Sequence, residues 1–277
     1  MALVYAAREV SSHRHVAVKV MQPELARQPQ LLQRMMQEAR AAAALHHPNV
    51  VNVIDVGLDD DGSAFIVLEL LEGESFDERL QREGKLSPAE TLRLLLPVID
   101  AIHLAHKSGI IHRDIKPENV FLTTNSAGGT VPKLLDFGIA KLLDDSSIVT
   151  RTGSVLGTAG YMSPEQLRGV SRLTPASDVW AMGVMLFRTL SGRLPFDEDP
   201  NPAKMMIAMV LSDPPKLGEV DPALPPALCA AVDGALRRSP ETRHRDMEEL
   251  TEALVDAAKL DRIDLSDATP DLPAGMV

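Results

Sequence analysis

The chain has 277 residues, 45% of them hydrophobic and 24% charged, enough apolar content to bury a large core in one or two domains. Its formal charge of -11 disfavours nonspecific nucleic-acid binding and contact with anionic lipid, leaving only a local basic patch open. Residues 1–10 lack a signal peptide's charged start and long apolar run, no apolar stretch reaches membrane-spanning length, and the single cysteine, Cys229, cannot form an internal disulfide, so a reducing cytoplasm is the expected compartment and a small core residue the expected role.

The first seventy residues favour strands. Residues 3–7, 15–21, 50–56 and 64–70 are β-branched or apolar runs separated by turn residues such as Asp60, Asp61 and Gly62. One helix, predicted over 30–45, interrupts them and places Leu31, Met35, Ala42 and Leu45 on one stripe, with Glu38 on the same stripe. A carboxylate buried there without a partner would cost several kcal/mol, so either a cation meets Glu38 or the helix is rotated to leave it wet.

Beyond Glu72 the chain turns helical. Ser87-Pro88-Ala89-Glu90 has the form of a capping box with proline at the first helical position, opening a helix toward Ser108-Gly109 that Pro97 should kink. Thr174-Pro175 opens another, carrying Val179, Met182, Leu186 and Leu190 at helical spacing and ending at Gly192. Residues 213–226 read as a loop, two further helices are predicted over 226–237 and 246–258, and the acidic residues 261–277 read as a trailing linker. His103 and His106 fall in the long helix at expected surface positions, His46-His47 fits no metal-ligand pattern, and the pairs Met35-Met36 and Met205-Met206 read as core filling.

Between the strand-rich and helical parts stands His112-Arg113-Asp114-Ile115-Lys116-Pro117-Glu118-Asn119, followed by Asp136-Phe137-Gly138. At about 5% per residue type, five fixed types in one octapeptide arise by chance on the order of once in ten thousand such chains. Carboxylate and amide oxygens of the kind Asp136 and Asn119 offer suit Mg²⁺, and a highly charged phosphoryl transition state needs such groups held in place. This string resembles the catalytic and metal-binding loops of eukaryotic-like bacterial Ser/Thr protein kinases, and the resemblance runs from Met1 to about Leu260.

The resemblance implies an α+β, bilobal protein-kinase-like fold, with a small sheet-rich lobe over 1–71 and a larger helical lobe over 72–260. It implies transfer of the γ-phosphoryl group of Mg-ATP to Ser/Thr hydroxyls of protein substrates. Asp114 then orients the acceptor hydroxyl, Lys116 steadies the transferred group, and Asn119 and Asp136 hold Mg²⁺. Lys19, on the apolar strand Val16-Ala17-Val18-Lys19, has an edge-strand charge as its simplest reading, but its separation from Glu38 matches the family's lysine and helix glutamate pair. Lys19 then binds the ATP phosphates, Val4 and Ala17 roof the adenine pocket, Leu68 limits its depth, and backbone groups at Glu69 and Leu71 meet the adenine edge.

The stretch from Asp136 to Ser163-Pro164-Glu165 resembles an activation segment, with Ser163 in place of the family's usual alanine. It carries Thr150, Thr152 and Ser154 as candidate phosphorylation sites that Arg113 would pair with, and self-association would allow phosphorylation in trans. Lys116 with Gly157-Thr158 resembles the Ser/Thr-directed version of the family, with Thr158 in the substrate loop. Asp178 and the pair of Glu165 with Arg243 resemble its scaffold.

One element of the pattern is not in the sequence. Val4 stands fifteen positions before Lys19, so the first two glycines of the family's phosphate-covering loop would precede Met1, and Ala2 occupies the place of the third. The expectation is a small lobe without its first strand, whose next strand is an exposed edge, with Met1 an internal methionine of a longer protein. The alternatives are a kinase shortened at this loop, a pseudokinase scaffold, or a small-molecule phosphotransferase of related fold.

Overall fold

The strand-rich opening folds, in a computed structural model that describes residues 2–21, 32–33, 36–37, 39, 43–60, 62–125, 127–136, 159–170, 172–196 and 201–265, into a four-stranded antiparallel sheet. Its strands are β1 (Ala2–Arg8), β2 (His15–Met21), β3 (Val53–Leu58) and β4 (Ala64–Glu69), in the order β1-β2-β4-β3. The register sets Lys19 between Val4 and Ile66, and Ala17 opposite Leu68. Because directly paired and alternate residues share a face, Val4, Ala17, Lys19 and Leu68 all lie on one side of the sheet.

Helical residues follow at positions 32–33, 36–37, 39 and 43. Leu32, Met36 and Ala39, at helical spacing, pack with Met21, Ala64 and Ile66. Of the expected stripe, Leu45 packs against the larger core, while Leu31, Met35, Glu38 and Ala42 lie outside the described residues. At the sheet edge β1 leaves Leu3, Val4 and Tyr5 exposed.

The predicted strand over 50–56 divides in two. Val50 joins the larger core and bridges to Leu134, Val51 N–H donates to Leu134 O at 2.9 Å, and Asn49 Nδ2 donates to Pro132 O at 2.8 Å. Only from Val53 does the chain enter the small sheet, because residues 49–51 are claimed by the larger lobe.

The larger lobe opens with β5 (Gly73–Ser75), which pairs with β6 (Val120–Thr124) and through it with β7 (Thr130–Leu134). Gly73 has φ +148°, and a Cβ there would stand 2.0 Å from Leu122 O, so no other residue fits without moving β6. Helices α1 (Phe76–Glu83), α2 (Pro88–Lys107), α3 (Pro164–Leu167), α4 (Pro175–Ser191), α5 (Pro202–Leu211), α6 (Leu217–Val220), α7 (Pro226–Ala235) and α8 (Met247–Leu260) follow. Ser87 caps α2 by accepting from Glu90 N–H, yet the return half of the capping box is not made, because the Glu90 carboxylate takes Arg79 at 2.7 Å instead. The helix continues through Pro97, and α4 ends at Gly192 in the left-handed conformation, φ +82°.

The core is built around α4, whose residues from Ala176 to Phe187 are all buried, Trp180 and Phe187 completely. Cys229 is a buried core residue and Met205 fills a satellite cluster with Ala159 and Met209. The loop expected over 213–226 contains α6. Residues 261–265 are docked rather than trailing: the Asp261 carboxylate accepts N–H groups of Ala227 and Leu228 at the start of α7, and Ile263 and Leu265 pack on the core.

Candidate active site

The octapeptide beginning at His112 is a loop held from below by one buried carboxylate. Asp178, in the first turn of α4, accepts His112 N–H at 2.7 Å and Arg113 N–H at 2.8 Å, and His106 Nε2 lies 2.8 Å away. Burial pushes the Asp178 carboxyl up, but the hydrogen bond and charge of His106 and the loop amides outweigh it and hold the group below the usual carboxylate range. The loop needs this support, since Arg113 adopts φ +66°, a left-handed conformation uncommon outside glycine.

A second network stands beside the first. Glu165 accepts Arg243 at 2.8 and 3.2 Å and Ser177 Oγ at 2.8 Å, and the Arg243 guanidinium lies 5.1 Å from the centre of the Trp180 ring. Burial raises the Glu165 carboxyl, and the Arg243 bonds and charge more than reverse that. Ser163 caps α3 in a reciprocal box with Gln166, whose Nε2 also donates to Arg113 O at 3.1 Å. Serine at the position where alanine is usual thus makes the helix cap itself.

On these supports the chemical groups converge. Asn119, which ends a 3₁₀ turn over Pro117–Asn119, donates from Nδ2 to Asp114 O at 2.7 Å and to Asp114 Oδ2 at 3.0 Å. Lys116 Nζ lies 3.5 Å from the same Oδ2. Leu135 N–H donates to Asn119 O at 2.9 Å, which fixes the following residue, Asp136, beside the loop. Asp136 Oδ2 in turn meets Lys19 Nζ at 2.6 Å, a contact that joins the two lobes.

Lys19 therefore finds an anion in Asp136; Glu38, the partner expected from the sequence, lies outside the described residues, as do Phe137, Gly138, Thr150, Thr152, Ser154 and Thr158. Val4 is on the Lys19 face but exposed, while Ala17 and Leu68 are half-buried opposite each other. Glu69 accepts Lys133 Nζ at 2.7 Å and Asn52 N–H at 2.8 Å, and Leu71 follows in the segment between β4 and β5.

His106 corrects the expectation of a surface position: its side chain is only 5% exposed, against Asp178. The signal was present, since His106 continues the buried series Leu95, Ile99, Ile102 along α2. Lys133 and Gln166 have no comparable signal, because their partners are 64 and 53 residues away in sequence.

Known proteins place this geometry. Residues 1–264 match the protein kinase domain family. The serine/threonine-protein kinase PknB of Mycobacterium leprae is 36% identical over 258 residues, 92% of this chain and 40% of that protein. The probable serine/threonine-protein kinase SCO3848 of Streptomyces coelicolor is 38% identical over 90% of this chain and 37% of its own length, so the chain spans about two fifths of such relatives. Among solved structures, the Mycobacterium tuberculosis PknI kinase domain superposes with a TM-score of 0.71 at 26% identity, covering 93% of this chain and 92% of that one. With that match over nearly its whole length, on a site assembled from both lobes, this chain belongs to the protein kinase domain family.

Proposed function

We propose that this chain is a serine/threonine protein kinase that transfers the γ-phosphoryl group of ATP to Ser/Thr hydroxyls of proteins. The observation that carries the reading is that Lys19 meets Asp136 at 2.6 Å while Asp114 meets Asn119 and Lys116 at 3.0 and 3.5 Å, the two groups being joined by the 2.9 Å bond from Leu135 N–H to Asn119 O. Asp114 has one carboxylate oxygen steadied by Asn119 and Lys116, which orients it to accept a hydroxyl proton. Lys116, beside it, meets negative charge on the group in transit, and Lys19 grips the ATP phosphates from the small lobe.

Magnesium fits the donors present. The Asn119 amide nitrogen is spent on Asp114, so its oxygen is the end left for a hard cation, and Asp136 adds a carboxylate whose side chain is 39% exposed. When bound, Mg²⁺ neutralises phosphate charge. The adenine pocket is assigned to Val4, Ala17, Leu68 and the backbone at Glu69 and Leu71; Glu38 remains the proposed second partner of Lys19. Thr150, Thr152 and Ser154 are assigned to autophosphorylation, in trans through self-association, and Thr158 to substrate positioning. Among the described residues, no helix is long and apolar enough to cross a membrane.

The test is intact mass after phosphatase treatment and incubation with Mg-ATP, beside Asp114→Asn. Phosphate gained by the parent alone is the expected result. A parent that gains none, even with an added protein substrate, would overturn the reading in favour of a pseudokinase.

A further inference from the structure

Away from the catalytic loop, a cavity of about 400 Å³ opens between the turn after α3, the segment leading into α4 and the turn after α7. Three arginines line it, Arg168, Arg172 and Arg238, one from each segment. In a chain with 28 basic against 39 acidic residues, that convergence is the local basic patch the composition leaves room for. Of its two acidic residues, Glu165 is neutralised by Arg243, while Glu241 accepts the Ser239 hydroxyl and keeps its charge, so the lining sets three guanidinium groups against one uncompensated carboxylate.

Two of the guanidinium groups are held in place by the end of α5. Arg168 donates one N–H to Val210 O at 3.0 Å and Arg238 one to Leu211 O, with Asp213 3.7 Å from Arg238 Nε. A guanidinium carries five N–H donors, so each keeps others for a ligand. Arg172 is exposed and makes no hydrogen bond or ion pair with any described residue. At the rim, Thr174 precedes the 17-residue helix α4 without making a side-chain cap bond, which leaves its hydroxyl at the positive end of the helix. Val170, Leu173 and Pro240 supply apolar wall.

We propose that this cavity is a phosphate-ester site that receives a phosphorylated serine or threonine of a protein segment. Planar guanidinium forks match the oxygens of a phosphate dianion, and the apolar wall accommodates the side chains flanking a phosphoresidue. A site of this kind tethers a partner or substrate that is already phosphorylated, independently of the transfer chemistry at Asp114.

The test is calorimetric titration of the phosphatase-treated chain with a short phosphothreonine peptide flanked by apolar residues, its unphosphorylated counterpart, and inorganic phosphate, all at one ionic strength. The phosphopeptide should bind saturably and at least tenfold more tightly than the other two. Arg172→Gln, which removes no hydrogen bond or ion pair among the described residues, should weaken it at least fivefold while melting temperature and Mg-ATP-driven mass gain stay at parental values. Equal binding of both peptides, or parental affinity in Arg172→Gln, overturns the proposal. Inorganic phosphate binding as tightly as the phosphopeptide overturns the protein-segment assignment. Since no binding measurement depends on turnover, an inactive chain leaves the titrations readable.

Discussion

Asp114 and Lys19 belong to one site but rest on different supports. Below Asp114 lie two buried carboxylates, Asp178 and Glu165, each satisfied by several donors and fixed on or beside a helix buried from Ala176 to Phe187. Lys19 stands on a four-stranded sheet with a small core and an exposed edge, and among the described residues its link to the rest of the site is an ion pair to a part-exposed carboxylate. The loop that carries Asp114 is thus built into the fold of the larger lobe, whereas the phosphate grip proposed for Lys19 depends on how the smaller lobe is set against it. Loss of function should accordingly come with loss of stability below Asp114 and without it at Lys19.

The largest effects sharpen that contrast. Lys19→Met should abolish phosphotransfer, and Asp114→Asn should lower it by ~10²–10⁴-fold, the scale for a positioned general base. Neither residue is part of a buried core, so thermal unfolding should move little in both. Arg243→Ala should do the reverse first: it leaves Glu165 buried without its cation, at a cost of about 3–5 kcal/mol in chemical denaturation, with activity falling because the scaffold loosens. A stable, inactive Arg243→Ala protein would break the comparison.

Acid should expose the same asymmetry. The folded-state pKa values of Asp178 and Glu165 lie below the ordinary carboxylate range, so these groups contribute stability that is fully present above that range and is lost as pH falls through the depressed values. Urea midpoints should therefore be flat with respect to these two groups near neutral pH and drop steeply below about pH 4. Asp178→Asn should remove part of that slope; an unchanged acid limb would show that these carboxylates do not set it.

Much of this was legible in the sequence, and the reasons differ between the two lobes. The octapeptide, Asp136 and the Glu165 partner carry chemistry in adjacent or family-spaced positions, so their identities could be read directly. Strand boundaries at β2 and β4 followed from apolar runs with clear turn signals. What could not be read was long-range competition. Val50 and Val51 look like strand residues, but the larger core takes them, and Glu90 looks like a capping-box partner until Arg79, eleven residues earlier, takes its carboxylate. The Lys19–Asp136 contact joins residues 117 positions apart, and local pattern holds no trace of it.

Gly73 tests the joint between the lobes. Alanine there meets both a positive φ and the Leu122 carbonyl, so Gly73→Ala should cost on the order of 1–3 kcal/mol, the scale of strained backbone positions. If the strain is relieved by shifting β5, the segment carrying Leu71 moves with it, and the apparent KM for ATP should rise more than kcat falls. A variant with parental stability would mean that β5 is free to move against β6.

The smallest effect concerns two helix starts that look equivalent in sequence, Ser87-Pro88 and Thr174-Pro175. Ser87 Oγ accepts Glu90 N–H, so Ser87→Ala should cost about 1 kcal/mol by orphaning that amide. Thr174 makes no such bond, and α4 is held by Asp178 and by burial along its length, so Thr174→Ala should cost only a few tenths. Paired urea titrations decide it. Equal losses would mean that the Thr174 hydroxyl caps α4 in solution and is not left at the rim of the arginine-lined cavity, which would also remove one of the donors offered there to a phosphate.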